Sequence, residues 1–243
     1  MILTSPLKFQ ISRIFNWLEQ SGKMDNTMVV FISDNGANGG YVSRYPGQTE
    51  AYMNTFDNSI DNIGLPNSLT DTGPNWAAAS MSPYRLFKGF TTEGGIRAPC
   101  VVKLPKGIEL KIQQSQSFTH ISDLMPTFLD LANVDHPSLK NKSIPPMMGE
   151  SLIPLLTNKT EAIHVNDGIG YELHGARAYF KGEWKIVNLA VPFGNGDWQL
   201  YNLNDDPTEI NDVSIEYPEK RNELIAGWNE YSETVGLIYD PLD

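Results

Sequence analysis

Two short segments hold the side chains best suited to chemistry. In the first, Asp34 and Asn35 follow the apolar run Met28-Val29-Val30-Phe31-Ile32 and lead into Gly36-Ala37-Asn38-Gly39-Gly40. A carboxylate beside an amide carbonyl offers hard oxygen donors of the kind Ca2+ and Mg2+ take. In the second, Arg85, Lys88 and Arg97 are spread among apolar residues, Thr91-Thr92-Glu93 and the pair Gly94-Gly95. The compact Lys88 ammonium suits a sulfate or phosphate oxygen, and it can offset negative charge developing on a leaving oxygen.

Each segment also has a plainer reading. Asn-Gly after a strand is commonly a hairpin turn, although Tyr41-Val42-Ser43-Arg44-Tyr45-Pro46 makes a poor returning strand. The Lys88 segment equally reads as a surface loop in which Arg97 pairs with Glu93. The residues alone leave both alternatives open.

The elements that must position these side chains suggest α/β architecture. Leu7, Ile11, Ile14, Phe15 and Leu18 recur at helical spacing before Ser21-Gly22, and the run at 28–32 reads as a strand buried on both faces. If that strand is parallel to its neighbours, Asp34 and Asn35 lie at its carboxyl end, where open α/β sheets place ligands. Residues 36–82 read as a long ordered loop, residues 98–104 as a second strand, and residues 124–131 as a helix with Pro126 in its first turn. From about Ala176 the pattern changes to antiparallel strands at 177–180, 183–187 and 198–203, with a helix after Pro218. Domains are expected at 1–165, an α/β core, and 166–243, a small α+β subdomain.

Composition narrows the function. The formal charge of -11 argues against a nucleic-acid partner, and no stretch is long and apolar enough to span a membrane. The single cysteine, Cys100, excludes an intrachain disulfide and reads as a buried core thiol. His120, His136, His164 and His174 form no close pair of the zinc-binding kind and are expected to be structural or surface residues, with His174 able to reach a site mouth. Trp198, Tyr201, Trp228 and Tyr231 read as one packing cluster. Met1 to Pro6 carries no legible secretory signal, so a cytoplasmic location follows if that N-terminus is genuine.

Taken in order, the segments resemble the sulfatase family, most closely its arylsulfatases. The carriers are Asn26 to Ala37, Ser82 to Pro99, Asp123 to Ala132, Gly149-Glu150-Ser151-Leu152 and Trp198 to Glu209. The resemblance implies a partial alkaline-phosphatase-like core, with a mostly parallel sheet flanked by helices, and a C-terminal antiparallel subdomain. It implies a sulfuric ester hydrolase acting on a small-molecule sulfate ester, with Asp34 and Asn35 as ligands of a divalent cation, usually Ca2+ with Mg2+ as an option, and Lys88 as the catalytic contact to the sulfate. Family members also carry a C/S-x-P-x-R motif matured to formylglycine; Cys100 is followed by Val-Val-Lys-Leu and fails it. The chain is therefore expected to be a C-terminal part, beginning partway through the core and inactive alone. A phosphoester or phosphonate hydrolase of the same superfamily, and a catalytically inactive interaction module, are the competing expectations.

Overall fold

The computed structural model describes residues 4–141, 143–165 and 167–238. Helix α1 (Thr4–Gln20) forms on the predicted apolar spacing and stops where Gly22 adopts φ +65°. Strand β1 (Val29–Ile32) follows. Between them and the next strand lie α2 (Glu50–Met53), α3 (Gly73–Met81) and the single turn α4 (Glu93–Ile96). Helix α3 lies within the expected loop; Pro74 in its first turn and the run Ala77-Ala78-Ala79 explain it, since alanine loses no side-chain entropy in a helix.

Strand β2 (Cys100–Lys103) pairs with β1 in antiparallel register, Ile32 opposite Cys100 and Val29 opposite Lys103. The expected parallel neighbours of β1 are thus replaced, among the described residues, by one antiparallel partner. A two-stranded ribbon has too few neighbours to cover both faces, so Phe31 remains 48% exposed and Cys100 is exposed rather than a core thiol.

Helix α5 (Leu124–Ala132) continues from a 3-10 turn (Ile121–Asp123) closed by a capping box, in which the Asp123 carboxylate accepts the His120 amide at 2.7 Å. It packs near the short α6 (Ile153–Leu156), where Leu152, Leu155 and Ile163 form a small core. Asp123 also accepts from the Glu150 amide at 3.0 Å and meets Nε2 of the buried His164 at 2.7 Å, while the His164 amide donates to Glu150 Oε1 at 3.0 Å.

The remaining strands, β3 (Ile169–Leu173), β4 (Ala176–Lys181), β5 (Trp184–Asn188) and β6 (Trp198–Asn202), form an antiparallel sheet in that order. Side chains alternate between its faces. Tyr179, Ile186 and Leu200 pack on Leu224 and Trp228 of α7 (Pro218–Thr234), whereas Ala178, Val187, Leu189 and Tyr201 face Leu86 and Phe90. The expected aromatic cluster is accordingly split: Trp198, Trp228 and Tyr231 gather on the α7 face and Tyr201 belongs to the other. That second face is what supports the Lys88 segment.

Candidate functional site

Past β1 the chain turns sharply without a returning strand. The Ser33 hydroxyl donates to the Asn35 carbonyl at 3.0 Å, and the Asn35 amide nitrogen donates to the Gly36 carbonyl at 3.0 Å. The amide nitrogen is thereby engaged while Asn35 Oδ1 is left to accept. Asp34 is exposed, and its carboxylate has no hydrogen bond or ion pair among the described residues. Adjacent residues thus each carry a side-chain oxygen with no hydrogen bond among the described residues.

The Lys88 segment is built on the sheet. Arg85 reaches the Tyr201 hydroxyl at 2.8 Å and the Phe193 carbonyl at 2.7 Å, and Leu86 and Phe90 pack against the cluster of Ala178, Val187, Leu189 and Tyr201. Burial pushes the Tyr201 hydroxyl up to about 12, with the Arg85 guanidinium pulling the other way. Leu86 is held at φ +61°, a left-handed backbone that a bulky side chain seldom adopts. Two residues on, the Lys88 side chain is exposed.

The two limbs meet through their main chains. The Lys88 amide donates to the Ala37 carbonyl at 3.0 Å, and the Gly36 amide donates to the Gly95 carbonyl at 2.9 Å. Glycine is required for this approach: a Cβ on Gly36 would lie 1.9 Å from the Gly94 carbonyl oxygen, and one on Gly39 would lie 2.4 Å from the Phe87 ring. The glycines after Asp34 therefore serve close packing rather than a hairpin.

Beneath the junction lies a buried group of charges. Glu93 is 5% exposed; its carboxylate meets Lys185 Nζ at 2.9 Å and Arg97 Nη1 at 3.2 Å, the pairing that the plainer reading of this segment gives to Arg97. Lys185 also meets Glu209 at 2.7 Å, and Glu209 accepts the Glu93 amide at 2.8 Å. Burial raises the pKa of Glu209, Lys185 counteracts that, and the neighbouring Glu93 carboxylate adds to it. Sequence reasoning singled out neither Lys185 nor Glu209. A lysine inside the otherwise apolar strand Trp184-Lys185-Ile186-Val187 was the available signal, whereas nothing local marks Glu209.

Beside β2, Ser80, Met81, Ser82, Tyr84, Arg97, Ala98 and Pro99 line a groove of about 350 Å3. It adjoins the Asp34 limb, because the Ser33 amide donates to the Pro99 carbonyl at 3.4 Å. Among the described residues no group of three or more His, Cys, Asp and Glu side chains could hold a metal ion, so Asp34 and Asn35 supply at most part of a ligand set.

The Sulfatase family model matches residues 8–134, and the N-sulphoglucosamine sulphohydrolase C-terminal model matches residues 84–228, both including the Lys88 segment. A sulfatase of Schizosaccharomyces pombe is 36% identical over 240 residues, 98% of this chain. The chain belongs to the sulfatase family. This sulfatase chain spans 43% of that relative's length. It is also 36% identical to the arylsulfatase of Klebsiella aerogenes over 145 residues, covering 59% of this chain and 31% of the relative. The crystal structure of Ps i-CgsB in complex with k-i-k-neocarrahexaose matches with a TM-score of 0.64 at 23% identity, over 92% of this chain and 40% of that one. The phosphonate monoester hydrolase of Agrobacterium radiobacter matches with a TM-score of 0.54 at 18% identity, over 92% and 39%. These likenesses fix the fold as that of the sulfatases, an alkaline-phosphatase-like α/β fold.

Proposed function

We propose that this chain carries the Asp34, Asn35 and Lys88 part of a sulfuric ester hydrolase site. The observation behind the reading is the main-chain bond from Lys88 to the carbonyl of Ala37, at 3.0 Å, which sets the lysine limb beside the carboxylate limb. Asp34 and Asn35 Oδ1 would hold a divalent cation, Ca2+ or Mg2+, which when bound supplies positive charge against the sulfate oxygens. Lys88 donates to a sulfate oxygen and to the bridging ester oxygen, offsetting the charge that builds there as the S–O bond breaks. Its exposure suits a residue that meets a ligand arriving from solvent.

The residues described supply no nucleophile for this step: Cys100 lies outside the site segments and lacks the motif for formylglycine. Turnover by the chain alone is therefore expected to be negligible. The same two limbs serve a phosphoryl group as readily as a sulfuryl one, and a phosphonate hydrolase shares the fold. A catalytically inactive binding or interaction module keeps the fold and an anion pocket without turning over an ester. Titrating the chain with Ca2+ and then with sulfate or phosphate, followed by amide shifts at residues 34–37 and 88, separates the sulfatase reading from the phosphoester one. Perturbation of both limbs by sulfate supports the sulfatase reading, stronger perturbation by phosphate favours the phosphoester reading, and none by either overturns the assignment of these limbs to an anion site.

A further inference from the structure

We propose that Lys185, in the C-terminal sheet, is a positioning residue for the site: with Glu93 and Glu209 it forms a buried clamp that fixes the Lys88 limb against the Asp34 limb. The inference rests on the functional reading of those limbs.

Four charges meet there. Lys185 comes from β5, Glu209 from the segment after β6, and Glu93 and Arg97 from the turn α4 and its end. Their formal charges cancel, two positive against two negative. Lys185 and Glu209 are fully buried, and the Lys185 ammonium also sits 4.6 Å from the centre of the Phe180 ring. An ion cluster of this kind is seldom the most stabilising way to fill such a space, because apolar residues of similar volume serve as well or better. Apolar contact is already present next to it, where Leu86 and Phe90 pack on Ala178 and Val187. What charged hydrogen bonds add is direction.

That direction leads to the site. Glu209 is held at φ +57°, where its carboxylate receives the Glu93 amide. The next two residues are Gly94, whose amide donates to the Arg85 carbonyl at 2.9 Å, and Gly95, whose carbonyl receives Gly36 at 2.9 Å. The clamp therefore fixes the short turn on which both limbs converge.

Site-resolved hydrogen exchange on the whole chain tests this. In Glu209→Gln, which keeps the shape and removes one charge, the amides of Gly36 and Lys88 are expected to exchange at least about tenfold faster relative to those of Ile186 and Leu200. Asp197→Ala, which breaks the pair between Arg221 of α7 and the residue preceding β6, serves as the control and should leave that ratio unchanged. Acceleration by a common factor at all four amides, or none at the limbs, overturns the proposal. Should Glu209→Gln not fold, Glu93→Gln is measured in the same way, and failure of both to fold also overturns it in favour of a purely structural role. The Ca2+ concentration for half-saturation should rise in Glu209→Gln and not in Asp197→Ala. If the parent chain responds to neither Ca2+ nor sulfate, the functional reading fails while the exchange ratio still decides the clamp.

Discussion

Gly36 approaches Gly94 so closely that a β-carbon on Gly36 would fall 1.9 Å from the Gly94 carbonyl oxygen. The contact is between main chains, so no side chain can swing aside to relieve it. Gly36→Ala is expected to destabilise the chain by about 1–3 kcal/mol, or to force the limbs apart. Urea denaturation measures the first outcome and loss of the slow exchange of the Gly36 amide the second; an unchanged protein on both counts refutes the packing.

Lys88 and Asp34 should separate binding from stability. Both side chains are exposed, and Lys88→Ala or Asp34→Asn should leave the unfolding free energy within about 0.5 kcal/mol. Lys88→Ala should remove the response of the site amides to sulfate, and Asp34→Asn their response to Ca2+. Retention of both responses in both variants would sink the assignment.

His164 predicts a pH dependence. Burial lowers its pKa, but the hydrogen bond and charge of Asp123, with Glu150 and Asp167, outweigh that and raise it above the ordinary 6.5. A raised value means the stabilisation is complete below about pH 6.5 and is lost as the pH climbs through the native value. His120 has the opposite sign, since burial lowers its pKa. The informative quantity is the stability difference between the parent and His164→Asn, a substitution that tolerates the left-handed φ of +55° at this position. That difference should shrink as the pH rises above 6.5; a constant difference counts against the ion pair.

Arg85 ties the lysine limb to the sheet through Tyr201. Arg85→Ala would leave the Tyr201 hydroxyl buried without its partner and should cost about 1–3 kcal/mol. Ultraviolet titration against a Tyr201→Phe reference should find this phenol ionising at about 12 in the parent chain. Ionisation in the ordinary range would show that the phenol is not buried in solution, whereas loss of the Arg85 contact alone would push it higher still.

Much of this arrangement is legible in the sequence wherever one element carries its own periodicity. The spacing of Leu7, Ile11, Ile14 and Leu18 gives α1, and the run 28–32 gives β1. Strand β3 escaped notice because Gly170 interrupts Ile-Gly-Tyr-Glu-Leu; the glycine is there to admit the Tyr231 ring, which a Cβ would meet at 2.4 Å. The antiparallel pairing of β1 with β2 is set by partners remote in sequence, and no local pattern encodes it. Motif order and resemblance together singled out Asp34, Asn35 and Lys88, whereas the clamp beneath them joins residues 93, 185 and 209, whose association only the folded chain reveals.

The long excursion after the Asp34 limb is closed at its neck. The Val42 amide donates to Asp71 at 2.7 Å, and the Thr72 hydroxyl donates to the Asn38 carbonyl at 3.1 Å. Changing the length of the chain beyond that neck carries only a weak entropic penalty. Since the Tyr45 hydroxyl bonds Asn38 as well, residues 46–70 are the part open to exchange for another insert, with the main-chain bond between Lys88 and Ala37 left in place.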